Sequence, residues 1–160
     1  MALVLDIETD SLDAKKIWVV ITKDTKTNEI CIFREPTGFA DHVRGYNTII
    51  GHNLLSFDVP VLNRLWNAHI KLSQLVDTMI LSQLFNPNRE GGHSLRNLAQ
   101  LAGCNKLDFS DFSEYTEDML KYCTHDVEIT HSVYNYLMSY DRYGFSQQSI
   151  SLEHNIRHVI

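Results

Sequence analysis

The sequence predicts an α/β domain, on three observations. Strand-like runs cluster in the first third of the chain, helical apolar spacing fills most of the remainder, and 44 % of the 160 residues are hydrophobic, enough for a core without staples. Residues 2–5 (ALVL) are a short apolar run entering Asp6, as in a buried strand. Residues 17–22 (IWVVIT) are β-branched and aromatic. A polar turn at residues 23–28 follows, and then residues 29–33 (EICIF) alternate with period two. These three segments predict an antiparallel meander. Thr37 is placed to cap a short helix closed by Gly45. Residues 48–51 (TIIG) form a fourth strand that runs into His52 and Asn53. The spacing of Val61, Leu62, Leu65 and Trp66 predicts a helix over residues 58–68, with Pro60 in its tolerant first turn. Further helices are predicted over residues 77–85, over 94–102 with Gly103 as its stop, and from Thr116, an N-cap, to about residue 140. Beyond Gly144, the spacing of Ile150, Leu152, Ile156 and Val159 predicts an amphipathic helix. Residues 1–145 therefore read as the main domain and 146–160 as a helical extension.

Composition narrows the function classes. The formal charge is −6, from 14 Lys and Arg against 20 Asp and Glu. A protein that grips nucleic acid by neutralising phosphates is usually basic. For this chain to hold phosphate, bound cations must supply the positive charge. Cys31, Cys104 and Cys123 are an odd, widely spaced set without a CxxC pair, which argues against disulfides and zinc and for small buried side chains. The N-terminal apolar run is too short for a signal core, and no stretch approaches the ~20 apolar residues that span a bilayer. The expected location is cytoplasmic, with no membrane partner. His52 and His93 lack zinc-ligand spacing and read as structural hydrogen-bonding groups. Tyr134, Tyr136, Tyr140, Tyr143 and Phe145 read as packing residues, and Lys15, Lys16 and Arg89 as surface charges.

Four acids stand out by context. Asp6 and Glu8, one residue apart at the end of the first strand, project from the same face. Leaving both ionised there is unfavourable unless a cation intervenes. Asp58 opens a helix directly after the fourth strand. Asp126 lies in the long C-terminal helix with Tyr122 one turn before it on the same face. Hard ions such as Mg²⁺ and Mn²⁺ prefer carboxylate oxygen, and a pair about 3.5–4 Å apart can clamp the attacking and leaving oxygens of a phosphodiester. Asp6, Glu8, Asp58 and Asp126 supply enough ligands for two such ions, and a tyrosine hydroxyl beside them can orient water.

The segments D-I-E-T-D-S-L (residues 6–12), H-N-L-L-S-F-D (52–58) and Y-C-T-H-D (122–126) resemble the three exonuclease motifs of the DEDDy group. More narrowly, the chain resembles the proofreading domain of family A DNA polymerases, bacterial and bacteriophage, and D-T-M at residues 77–79 resembles that family's connecting segment. The resemblance runs from about residue 3 to 137. It implies a ribonuclease-H-like fold: a mixed five-stranded sheet flanked by helices, the fifth strand near residues 75–78. It also implies 3′→5′ hydrolysis of DNA ends, single-stranded or frayed, by two divalent ions (Mg²⁺ or Mn²⁺), in proofreading or in DNA degradation and repair. In that family's terms Asp6, Glu8 and Asp126 hold the first ion, and Asp6 and Asp58 the second. Tyr122 positions the nucleophilic water, Thr9 and Leu12 touch the terminal nucleotide, and Asn53 contacts the strand. Phe57 stands where the family often has Tyr, so it keeps stacking and loses a hydroxyl contact. Lys121 occupies the place of the catalytic histidine in the sister DEDDh group, which favours the tyrosine variant. No polymerase thumb, fingers or palm follows. The implied partners are a DNA 3′ end and a DNA polymerase subunit or domain. Two rival readings use the same residues: an exoribonuclease, and a non-catalytic module that docks on a polymerase.

Overall fold

A computed structural model describes residues 1–142 and 144–159. Tyr143 and the side chain of Val159 therefore lie outside the described residues. Five strands form one mixed sheet in the order β3-β2-β1-β4-β5: β1 Ala2–Thr9, β2 Ile17–Asp24, β3 Ile30–Phe33, β4 Thr48–Gly51 and β5 Leu75–Asp77. The meander β1-β2-β3 is antiparallel, while β4 and β5 join parallel to β1. Among the described residues six α-helices flank it: α1 Phe39–Arg44, α2 Asp58–Trp66, α3 Thr78–Phe85, α4 Leu95–Leu101, α5 Glu117–Tyr136 and α6 Gln147–Val159. This is the ribonuclease-H-like arrangement that the motifs imply. Among the described residues no helix is long and apolar enough to cross a membrane.

The pleat of β1 divides the core. Leu3, Leu5 and Ile7 face Phe39 and Val43 of α1 and Val59, Val61 and Leu62 of α2. Val4 faces the other way and packs with Val19, Ile21 and Ile50 against Met119, Cys123 and Val127 of α5. Because alternate residues share a face, Asp6 and Glu8 continue the α5 side. Pairing of β1 with β4 stops at Val4–Ile50, whereas pairing with β2 continues to Thr9. The second half of β1 thus projects beyond β4, and the chain leaving β4 turns across its open edge.

Local chemistry explains the boundaries. Thr116 caps α5 by accepting from the Met119 N–H at 3.1 Å, with Glu117 and Asp118 placed favourably in the first turn. Ser94 caps α4, and the Asp77 carboxylate caps α3, so Asp77 ends β5 instead of beginning a helix. Helix α1 starts one residue later than Thr37 suggests: Gly38, with φ of 78°, makes the left-handed entry, and no side chain caps it. Strand β1 outruns its apolar stretch because β2 pairs with its acidic end. Arg89, read from sequence as a surface charge, is buried and donates to Ser82 Oγ at 2.7 Å. Of the aromatic group, Phe145 packs on Phe85, but Tyr140 is exposed and stacks on Tyr136. In α6, Ile150 is buried against Leu81 of α3, while Leu152 and Ile156 are exposed. Those two lie about half a turn away from Ile150 around the helix.

Gly51 marks where the sheet gives way to the site-forming turn. A Cβ there would lie 3.0 Å from Leu54 Cβ and 3.1 Å from the Leu5 carbonyl oxygen. Relief would require the turn to move off β1. Gly51→Ala is expected to lower the melting temperature by roughly 3–8 °C, from an overpacking cost of about 1–3 kcal/mol. An unchanged thermal transition would contradict this close approach.

Candidate active site

Three elements bring the four acids to one end of the sheet. Asp6 and Glu8 come from the overhanging half of β1, and Asp58 from the first turn of α2. Asp126 comes from α5, whose apolar stripe of Met119, Cys123 and Val127 packs on the sheet and turns Tyr122 and Asp126 toward β1. Asp6, Glu8, Asp58, Asp126, Tyr122, Asn53, Phe57 and Leu12 line one cleft of about 320 Å³. Thr9 lines an adjoining apolar cavity instead, with Leu12, Phe57 and Phe112. Its hydroxyl donates to the Ser11 carbonyl at 2.8 Å. Leu12 is 92 % exposed beside both openings. Two larger cavities, of about 430 and 450 Å³, hold no such carboxylate cluster, so size does not identify the site.

The turn between β4 and α2 is held from below. Asn53 takes a left-handed φ of 59°. The buried Asp77 carboxylate accepts the backbone N–H groups of Asn53 at 2.8 Å and Leu55 at 3.1 Å. Asp77's own N–H donates to His154 Nε2 of α6 at 2.9 Å. The backbone N–H groups of Asp58 itself and of Ile7 in β1, just past the end of the β1–β4 pairing, lie near the Asp58 carboxylate and favour its ionised form. His52 and His93 play the structural parts expected of them, bonding Thr78 Oγ1 at 2.8 Å and Ser82 Oγ at 2.7 Å.

Electrostatically the cluster is crowded. Burial, then the neighbouring Glu8, Asp58 and Asp126, push the Asp6 carboxyl well above the usual carboxylate range. Burial with Asp126 and Asp58 raises Glu8 to about 8, despite relief from Lys106. Burial raises Asp58 to about 7 against its two backbone donors. Asp126 is raised by burial and eased by Lys106. The Lys106 ammonium donates to Asp126 Oδ2 at 2.6 Å and to the Tyr122 hydroxyl at 2.7 Å. Asp126 Oδ1 is buried without a partner.

These residues fit divalent cations. The buried Glu8, Asp58 and Asp126 and the half-buried Asp6 share a single ammonium, one of their oxygens is unsatisfied, and hard oxygen donors are what Mg²⁺ and Mn²⁺ select. Single donor atoms of Asp6, Glu8 and Cys123 lie within 4.8 Å of one another. The Cys123 thiol is a soft donor that Mg²⁺ and Mn²⁺ do not select, and here it donates to Asp6 Oδ2 at 3.4 Å.

Three participants carried no recognisable sequence signal. Lys106 is a lone lysine in the irregular stretch after Gly103. Phe112 is anchored by its carbonyl, which accepts from Trp18 Nε1 at 2.9 Å. Cys123 read only as a buried apolar residue. Asp77 did carry a signal, in the D-T-M segment.

Residues 2–140 match the model of a 3′-5′ exonuclease family. The chain belongs to that family. No curated protein matches it in sequence. Solved structures share its fold. NrnC of Brucella melitensis with bound Mg²⁺ superposes with a TM-score of 0.74 at 19 % identity, covering 99 % of this chain and 85 % of its own. Exonuclease X in complex with 5′-overhanging duplex DNA gives 0.60 at 16 % identity, covering 96 % and 99 %. Trypanosoma brucei RNase D gives 0.56 at 15 % identity, covering 99 % and 66 %.

Proposed function

We propose that this protein hydrolyses DNA from its 3′ end, one nucleotide at a time, using two Mg²⁺ or Mn²⁺ ions, in proofreading or in DNA degradation and repair. The observation that carries the reading is the convergence of Asp6, Glu8, Asp58 and Asp126 on one cleft beside the Tyr122 hydroxyl. Asp6, Glu8 and Asp126 would hold one ion, and Asp6 with Asp58 the other. Bound there, such ions supply Lewis acidity toward water and counter-charge for a phosphate. The protein's own groups do the placing. Tyr122 orients a water in line with the terminal phosphodiester. Its oxygen bonds to phosphorus as the P–O3′ bond breaks, leaving a 3′-hydroxyl on the shortened strand and a free nucleoside 5′-monophosphate. Leu12 and Phe57 border the apolar cavity next to Glu8, a suitable seat for the terminal base. Thr9 and Asn53 contact the sugar–phosphate chain. The fold is also that of an RNase D and of NrnC bound to pGG, so the sugar must be tested directly.

Matched 5′-labelled substrates separate the readings: single-stranded DNA, frayed and blunt duplex DNA, and RNA, each with Mg²⁺, Mn²⁺ or chelator. Metal-dependent ladders that shorten from the 3′ end, fastest on single-stranded DNA, are the expected result. Faster shortening of RNA would replace DNA with RNA as substrate. Inertness on every substrate would overturn the catalytic reading.

A further inference from the structure

Among the described side chains of α6 only Ile150 and His154 are buried, one helical turn apart on one face. We propose that His154 is a positioning residue for substrate binding, acting through Asp77 to hold the turn that carries Asn53. This rests on the exonuclease reading above. The sheet ends at β5, and the N–H of its last residue, Asp77, donates to His154 Nε2 at 2.9 Å. Nε2 is therefore the bare ring nitrogen. The ring's hydrogen lies on Nδ1, which donates to the Ile150 carbonyl at 2.8 Å. Both nitrogens are used, and together they fix the tautomer. The Asp77 carboxylate meanwhile accepts the N–H groups of Asn53 at 2.8 Å, Leu55 at 3.1 Å and Met79 at 2.9 Å. His154 thus fixes the backbone of the residue whose side chain fixes the turn.

Packing alone does not call for an imidazole at this place. An apolar side chain beside Ile150 would fill the space without the cost of desolvating two ring nitrogens. What the imidazole adds is an acceptor for an edge-strand N–H that would otherwise be buried and unpaired. Leu75, at the start of β5, needs no such partner, because its N–H bonds the Leu72 carbonyl. The turn, for its part, needs the support. Asn53 takes a φ of 59°, and a residue with a side chain persists there only where its surroundings impose it. Asp58 lies beyond the turn, on a helix anchored in the core by Val59, Val61 and Leu62. Loss of the His154 acceptor therefore loosens Asn53, a contact to the nucleic-acid strand, and leaves the metal ligand Asp58 in place.

This yields a signature that mere structural support would not. His154→Leu, His154→Gln and Ile150→Val are compared with wild type by steady-state digestion of a 5′-labelled single strand at saturating Mn²⁺, with folding followed by thermal melting. Leucine fills the space without an acceptor, glutamine brings Oε1 near the place of Nε2, and Ile150→Val loosens α6 without touching the bond. His154→Leu is expected to raise KM about fivefold or more with kcat within about twofold, the pattern of a lost binding contact. His154→Gln is expected to recover part of that loss, and Ile150→Val to lower the melting temperature without raising KM. In an Asn53→Ala background, His154→Leu is expected to raise KM by less than about twofold, because both changes act through one contact. In ¹⁵N-labelled wild type a coupling across the hydrogen bond, between the Asp77 nitrogen and His154 Nε2, is expected, and this needs no variant to fold. Absence of that coupling would overturn the proposal. So would full additivity with Asn53→Ala, an equal rise of KM in Ile150→Val, or no recovery in a folded His154→Gln. Wild type inert on all substrates would defeat the exonuclease reading itself. An active wild type that His154→Leu matches would defeat only the role of His154.

Discussion

Asp6→Ala is expected to abolish metal-dependent shortening of a labelled single strand, by a factor on the order of 10³ or more, comparable to removing a preorganised group that stabilises developing charge. Asp6 is the acid shared by both proposed ions, and it occupies the most crowded position. Burial and all three other acids raise it together. Its loss should leave the fold intact, because the change removes a half-buried carboxyl crowded by three others and one weak thiol contact from Cys123. The measurement pairs a digestion assay with a melting curve. Activity within tenfold of wild type, in a variant that melts normally, would refute the proposed ligand set. Asp126→Ala offers a second arm with the same expectation for activity, but it also leaves Lys106 bonded to Tyr122 alone.

The metal-free protein is expected to lose stability between pH 7 and 9, and divalent metal to restore it. The sign follows from linkage. Glu8 titrates at about 8 in the folded state, and Asp6 stays well above its ordinary range. Unfolded carboxyls release their protons near pH 4. The folded protein therefore keeps protons that the unfolded chain has lost. The stability these carboxyls contribute is fully present below about pH 4 and is lost as pH rises through their folded values. Asp58, at about 7, adds to the loss at the lower end of the window. The window starts at 7 because His42, His52 and His131 are displaced downward, chiefly by burial, and so add stability as pH climbs through about 6.5. One retained proton is worth about 1.4 kcal/mol per pH unit, so Glu8 alone should cost about 1.4 kcal/mol between pH 7 and 9, or roughly 3–6 °C, and Asp6 acts in the same direction. Mg²⁺ or Mn²⁺ competes with those protons, and its stabilising effect should grow over the same range. Differential scanning calorimetry at pH 7, 8 and 9, with and without metal, gives both slopes. Asp58→Asn serves as a control whose metal-free melting temperature at pH 8 should equal or exceed wild type. A metal-free melting temperature that rises with pH would contradict a cluster of raised carboxyls.

Much of this was legible in the chain itself. Strand periodicity, the cap at Thr116 and the three acidic motifs each depend on residues close in sequence, where geometry follows from helical or pleated spacing alone. The same spacing placed Asp6 with Glu8 on one face of a strand, and Tyr122 with Asp126 on one face of a helix. The reading failed where a tertiary partner overrode local preference: Arg89 is buried because Ser82 receives its guanidinium.

What only the tertiary structure decided is how the separate pieces meet. The early end of β4 leaves the edge of β1 open, and the Asp58 carboxylate comes to lie beside it, near the Ile7 N–H. Asp77, near the middle of the chain, and His154, near its end, fix the turn carrying Asn53. Lys106 belongs to no repeating element, so no periodicity could aim its ammonium at Asp126. Sequence determined which chemical groups are present and which face of a local element they share. The long-range packing of α5 and α2 against an overhanging strand determined that four acids share one buried volume, where burial and mutual repulsion make them receptive to cations.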